Sequence, residues 1–160
     1  MSGFNCTPSI VPPVSSEVET PIANDGWFPD VDLASLRATL RLRDSVTPER
    51  LRTSALNAII TVGNQLVAWQ AAQAAVGCAS LGAVPGPMLD GKNRLVLLYA
   101  RAVAAYTKAD LVERYRDVDL TAAGQRNVGE LDSSIEELRR DGLHAVRDMR
   151  GVTRTFVELI

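Results

Sequence analysis

Residues 47–77 read TPERLRTSALNAIITVGNQLVAWQAAQAAVG and carry the longest unbroken helical pattern in the chain. Thr47 can cap the N-terminus with its hydroxyl, Pro48 suits the first helical position, and Glu49 puts a negative charge in the first turn, where the helix dipole favours it. Gly77 supplies the stop. At 1.5 Å per residue the span forms a rod of roughly 45 Å. On a helical wheel Leu51, Ala55, Leu56, Ile59, Val62, Leu66, Val67 and Trp69 fall in one broad half, as expected of a helix that faces a core.

The other half holds Ser54, Asn57, Thr61, Asn64, Gln65, Ala68, Ala71, Ala72 and Ala75, all small or neutral. No Asp, Glu, Lys or Arg occurs between Arg52 and Asp90, whereas a solvated helix face normally carries such residues. Two readings are open. The helix is Ala-rich and merely lacks charge, or its back face lies against another subunit, because interface cores are depleted of charge. On the second reading Asn57, Thr61, Asn64, Ala68, Ala71 and Ala75 are the candidate subunit-interface residues. A membrane span is rejected. Spanning helices need about 20 predominantly apolar residues, and here Asn57, Asn64, Gln65, Gln70 and Gln73 recur every turn or two.

Around this helix the chain divides into an extended N-terminal arm over residues 1–26, a helical domain over 27–151 and a tail over 152–160. The arm contains Pro8, Pro12, Pro13 and Pro21 among Ser, Thr, Val and Asn, with neither a helical period nor a sustained strand. Trp27 and Phe28 follow, before Pro29. They pin the arm to the core or serve as anchors for a partner, since aromatics are favoured hot spots. Asp32 can cap a short helix over residues 33–43 with Leu33, Leu36 and Leu40 on one face. Residues 78–91, with Gly82, Pro85, Gly86, Pro87 and Gly91, hold too many breakers for regular structure.

A third helix is expected over residues 92–116, with Leu95, Leu98, Tyr99, Ala102, Tyr106, Ala109 and Val112 as its apolar stripe. A fourth is expected over 125–150, where Val128, Leu131, Ile135, Leu138, Gly142, Val146 and Met149 fall within about 80° on the wheel. The outer face of the fourth helix is charged in the ordinary way, so it reads as having one face in water, and the second helix as covered on both sides. Val152 and the residues after it form a β-prone tail with no sheet of their own to join. The tail lies along the helices, or adds to a strand of another chain by β-augmentation. The fold class is all-α, a four-helix bundle-like arrangement with an extended arm and a β-prone tail.

At 160 residues and 46% hydrophobic the chain is long enough to bury one core. A net charge of -2 and a pI near 5.4 argue against a dedicated nucleic-acid binder. Of the 17 basic residues only Lys92 and Lys108 are lysines. Arg37, Arg41 and Arg43, close together on the short helix, could touch DNA or pair with carboxylates across a subunit boundary. Cys6 and Cys78 show no CxxC spacing and read as free thiols of a reducing compartment. The N-terminus has no secretory pattern. His144, the single histidine, falls opposite the apolar stripe and reads as a surface residue. No metal-ligand spacing, phosphate loop or nucleophile motif is present, and the expectation is a non-enzyme without catalytic residue, cofactor or metal.

The order of Trp27-Phe28-Pro29-Asp30-Val31-Asp32, Leu40-Arg41-Leu42-Arg43 and Val46-Thr47-Pro48-Glu49-Arg50-Leu51-Arg52 resembles the P2-type bacteriophage head completion proteins. Glu113-Arg114-Tyr115-Arg116-Asp117-Val118-Asp119 and Asp132-Ser133-Ser134-Ile135-Glu136-Glu137-Leu138-Arg139-Arg140-Asp141 extend the resemblance, as does the apolar terminus Val157-Glu158-Leu159-Ile160. It covers the chain from Trp27 onward, the Gly/Pro loop excepted. It implies a virion structural protein that completes the head by binding the portal vertex after DNA packaging, and that forms the head-tail connector on which a tail or tail-terminator protein docks. It also implies a ring, typically dodecameric, assembled in the host cytoplasm, through which DNA passes without specific binding. On that expectation Thr155, Phe156, Val157, Leu159 and Ile160 are the portal-docking residues of the tail. The alternative is a helical interaction module that dimerises in the cytoplasm with no part in a particle.

Overall fold

Three of the helices begin on a side-chain cap written in the sequence. The computed structural model describes residues 19–42, 46–116 and 134–152. Asp32 caps α1 (Leu33–Leu40), accepting from the backbone N–H groups of Ala34 and Ser35. Helix α1 stops three residues short of the expected end. Arg41 turns left-handed at φ 51°, its N–H reaches Ala38 O, and Leu42 N–H reaches Arg37 O at 3.2 Å. Leu42 is thereby folded back onto the core cluster that also holds Leu40, the closure typical of a helix end with an apolar residue just beyond it. Arg43 lies outside the described residues.

Helix α2 (Pro48–Ala75) has the expected limits. Thr47 accepts from Arg50 N–H, and the chain leaves through Gly77 at φ 95°, with Cys78 N–H bonded back to Gln73 O. Residues 78–91 are more ordered than their Gly and Pro content suggests. They form a 3-10 turn at Leu81–Ala83, then β1 (Met88–Leu89), which pairs antiparallel with β2 (Lys92–Asn93). The two residues between the strands, Asp90 at φ 49° and Gly91 at φ 69°, both take the left-handed conformation of a tight hairpin. Helix α3 (Arg94–Arg116) starts directly from β2.

Helix α4 (Ile135–Met149) also differs from expectation. Ser134 is extended, its hydroxyl accepts from Glu137 N–H, and its own N–H donates to the Glu137 carboxylate. This capping box starts the helix at Ile135 rather than near residue 125. Val128 and Leu131, assigned to its stripe, lie outside the described residues, as does the tail from residue 153 onward.

Helix α3 is the centre of the fold, with α4 and α2 as its most extensive partners. Tyr99, Ala102, Val103 and Thr107 of α3 are buried. Gly142 of α4 sits so close to α3 that a Cβ there would lie 2.7 Å from the Tyr106 ring. One core cluster joins Val62 and Leu66 of α2, Tyr99 and Val103 of α3, Val146 and Met149 of α4, and Phe28. A second joins Ile22, Leu33, Leu36, Val46, Leu51 and Leu111. The C-terminal end of the arm is tied to this second cluster by an isolated antiparallel bridge between Ile22 and Val31.

Candidate assembly surface

Asp25 folds a turn over Trp27 and Phe28, its Oδ1 accepting both backbone N–H groups at 2.9 Å while Oδ2 accepts from the Gln70 amide of α2. Partial burial opposes its charge, but the bonds from Phe28, Gln70 and Trp27 prevail and hold the carboxyl below its ordinary range. The Phe28 ring stacks on Tyr99 at 4.8 Å. Trp27 meets Trp69 edge-on and donates its indole N–H to Cys78 O at 3.0 Å. Burial, with Asp25 nearby, pushes the Tyr99 hydroxyl up to about 12 even though the Asn24 amide donates to it at 2.7 Å. Phe28 is buried and Trp27 half-buried, both against this chain's own core.

Arg37 of α1 and Arg52 of α2 are similarly committed. Arg37 pairs with Glu19 and donates to Val46 O, and Arg52 holds Thr20 through its carbonyl and hydroxyl oxygens. The carboxylate partner of Arg37 therefore comes from its own arm. Between α1 and α3 lies an open groove of about 600 Å³ with Leu36, Val96 and Val103 among its walls and Asp30, Lys92 and Arg101 at its edge. Among the described residues no His, Cys, Asp and Glu gather into a metal-binding group, and no described helix is long and apolar enough to cross a membrane.

The outer face of α2 is different in kind. Of the residues singled out there, Thr61, Asn64, Ala68, Ala71 and Ala75 are exposed and Asn57 is half-buried. The buried set is Leu51, Ser54, Ala55, Ala58, Val62 and Leu66, a narrow seam of one or two residues per turn. The broad half-wheel needs correction accordingly. Leu56 is 40% and Val67 61% exposed, whereas Ser54 is buried and Gln65 is half-buried, donating to Tyr106 Oη at 3.1 Å. A helix packed chiefly on one neighbour buries the narrow seam that faces it, and residues at the margins of a wide stripe turn outward. In this chain by itself α2 is covered on one side.

Spacing of three and four residues puts Leu56, Ile60, Gly63 and Val67 on one ridge. Ile60 is 59% exposed, and a Cβ built on Gly63 would meet nothing within 4 Å. Nothing among the described residues therefore requires glycine there, although glycine in a helix interior costs about 1 kcal/mol relative to alanine. The ridge is apolar, exposed and notched at its middle. Neither Ile60 nor Gly63 belongs to the core-facing half or to the small neutral set on the helical wheel. The signal was present: a glycine in mid-helix without a turn to make.

The family of phage head completion proteins (GPL) matches residues 22–160. The chain belongs to the phage head completion proteins. The head completion/stabilization protein of Escherichia phage P2 is 36% identical over 152 residues, covering 95% of this chain and 90% of that protein. No solved structure matches. Similarity within the head completion family thus runs through residues 78–91 and back to Ile22, further than the sequence blocks that suggested it. Membership gives the chain a structural part in finishing the virion head, and the surface of α2 has to be understood within that role.

Proposed function

We propose that this head completion protein binds the portal vertex after packaging as a ring of identical subunits and forms the connector on which the tail or its terminator docks. The observation that carries the reading is the uncharged outer face of α2, long and exposed in the single chain. A ring is built from heterologous contacts, each subunit presenting two different faces to its neighbours, and this face has the charge depletion of an interface core. Asn57, Thr61, Asn64, Ala68, Ala71 and Ala75 lie within the contact, and the helical domain forms the ring. A net charge of -2 suits a conduit through which DNA slides without adhering, because phosphate binding is driven by Lys and Arg. The likeness to the head completion/stabilization protein of Escherichia phage P2, at 36% identity, supports a part in completing the head.

Docking to the portal is assigned to the tail, with Thr155, Phe156, Val157, Leu159 and Ile160 as its contacts. A short apolar extended segment adds to a partner's sheet edge through its backbone and seats alternate side chains in pockets. Deleting residues 153–160 is expected to leave the helical domain folded by circular dichroism and to abolish co-sedimentation with portal-bearing heads. Undiminished co-sedimentation would remove the tail from the portal contact.

A further inference from the structure

We infer that the exposed hairpin strand Met88–Leu89 is the second face of the subunit contact, and that Leu89 seats on the Gly63 notch of a neighbouring copy's α2. The inference rests on the ring reading and supplies the face that reading leaves unnamed.

The exposed ridge from Leu56 to Val67 is about 16 Å long and about 12 Å wide, on the order of 200 Å², while a standard interface needs about 800 Å² from each partner. The ridge by itself is too small, so another element has to reach it. Two features of the hairpin fit that part. Met88 and Leu89 are successive strand residues that point to opposite faces, yet they are 62% and 51% exposed, so the hairpin stands clear of the body. Its base is held firmly. The Asn93 amide donates to Gly82 O and Val84 O, its Oδ1 accepts from Leu95 N–H, and Arg94 N–H donates to Pro87 O. A knob already held in shape loses little conformational freedom on docking.

Charge selects the partner. The uncharged span from residue 53 to 89 contains both the notched ridge and the knob, and Asp90 and Lys92 beside the knob form a polar rim. An acidic or basic partner would find nothing to pair with on the ridge, whereas a second copy brings a surface of the same character. Leu143, the exposed large apolar residue of α4, is less suited, because Arg139, Arg140 and Arg147 surround it at helical spacing.

The test uses the full chain with Cys6 and Cys78 replaced by serine, assembled on portal-bearing heads. Leu89→Cys and Ile60→Cys are made in separate copies, mixed and oxidised. The expected result is a disulfide-linked dimer from the mixture and monomer from either variant alone. Rings without the mixed cross-link overturn the pairing and leave the ring reading intact, as does a cross-link formed by either variant alone. Failure of the parent chain to form any ring overturns both. Gly63→Leu gives an independent arm. Its Cβ meets no neighbour, so the melting temperature is expected to hold or rise while the protein concentration needed for assembly increases at least tenfold. Assembly at the parent concentration would show that nothing enters the notch.

Discussion

Two glycines in the interiors of helices respond to the same substitution in opposite directions. At Gly142 a Cβ would sit 2.7 Å and 2.9 Å from atoms of the Tyr106 ring, and that ring is tethered at its hydroxyl by Gln65. Gly142→Ala must therefore separate α4 from α3, a form of overpacking worth about 1–3 kcal/mol. At Gly63 the space is open, so Gly63→Ala is expected to stabilise the isolated chain by up to about 1 kcal/mol through helix propensity. Urea unfolding of both variants checks the pair; two shifts of the same sign would contradict it. Tyr99 sets a pH limit at the same scale. Its folded pKa is raised to about 12 from an ordinary value of 10.0, so its contribution to stability is complete below about pH 10 and disappears as pH climbs from there towards 12. Tyr99→Phe is expected to lose less stability than the parent chain between pH 9 and pH 11.5, measured by urea midpoint at each pH. Parallel loss in both proteins would contradict the assignment.

At the scale of elements, what could be read from the sequence followed from how local the determinant is. The ends of α2 were legible because Thr47, Pro48 and Gly77 act within a few residues of themselves. The start of α4 is written as clearly, in Ser134 and Glu137, but the apolar spacing that runs on through Val128 and Leu131 points to an earlier start. The hairpin was illegible for a different reason. Asn93 is buried and binds the carbonyls of Gly82 and Val84 some ten residues earlier, and no periodicity encodes such a bond. Asn93→Ala would leave two carbonyls and the Leu95 N–H without that partner, at about 1–3 kcal/mol for each buried group left unsatisfied. The expected outcome is a lower melting temperature together with faster amide exchange in residues 82–95; unchanged exchange there would show that the hairpin holds without it. Ser134→Ala should cost about 1 kcal/mol by loss of the cap, again read from the urea midpoint.

For the whole molecule, the mainly helical fold and the head completion family were both legible from sequence, but the position of α2 within the fold was not. The wheel made α2 the organising helix with a broad buried half, whereas α3 takes the centre and α2 lies to one side with a narrow seam. Its outer half is thereby left in water with Ile60, Val67 and a run of alanines on it. The candidate residues Asn64, Ala68 and Ala71 belong to that exposed half, so the chain carries on its surface a face with the composition of an interior. Asn64→Glu combined with Ala71→Lys keeps the net charge and alters two exposed positions, each within about 0.5 kcal/mol of neutral for the single chain. The most direct test is the mass of the assembly formed on isolated portal by the parent chain and by this double variant. A ring from the parent and none from the variant, with equal melting temperatures for the two free chains, is the result expected; rings of equal mass from both would return the outer face of α2 to solvent.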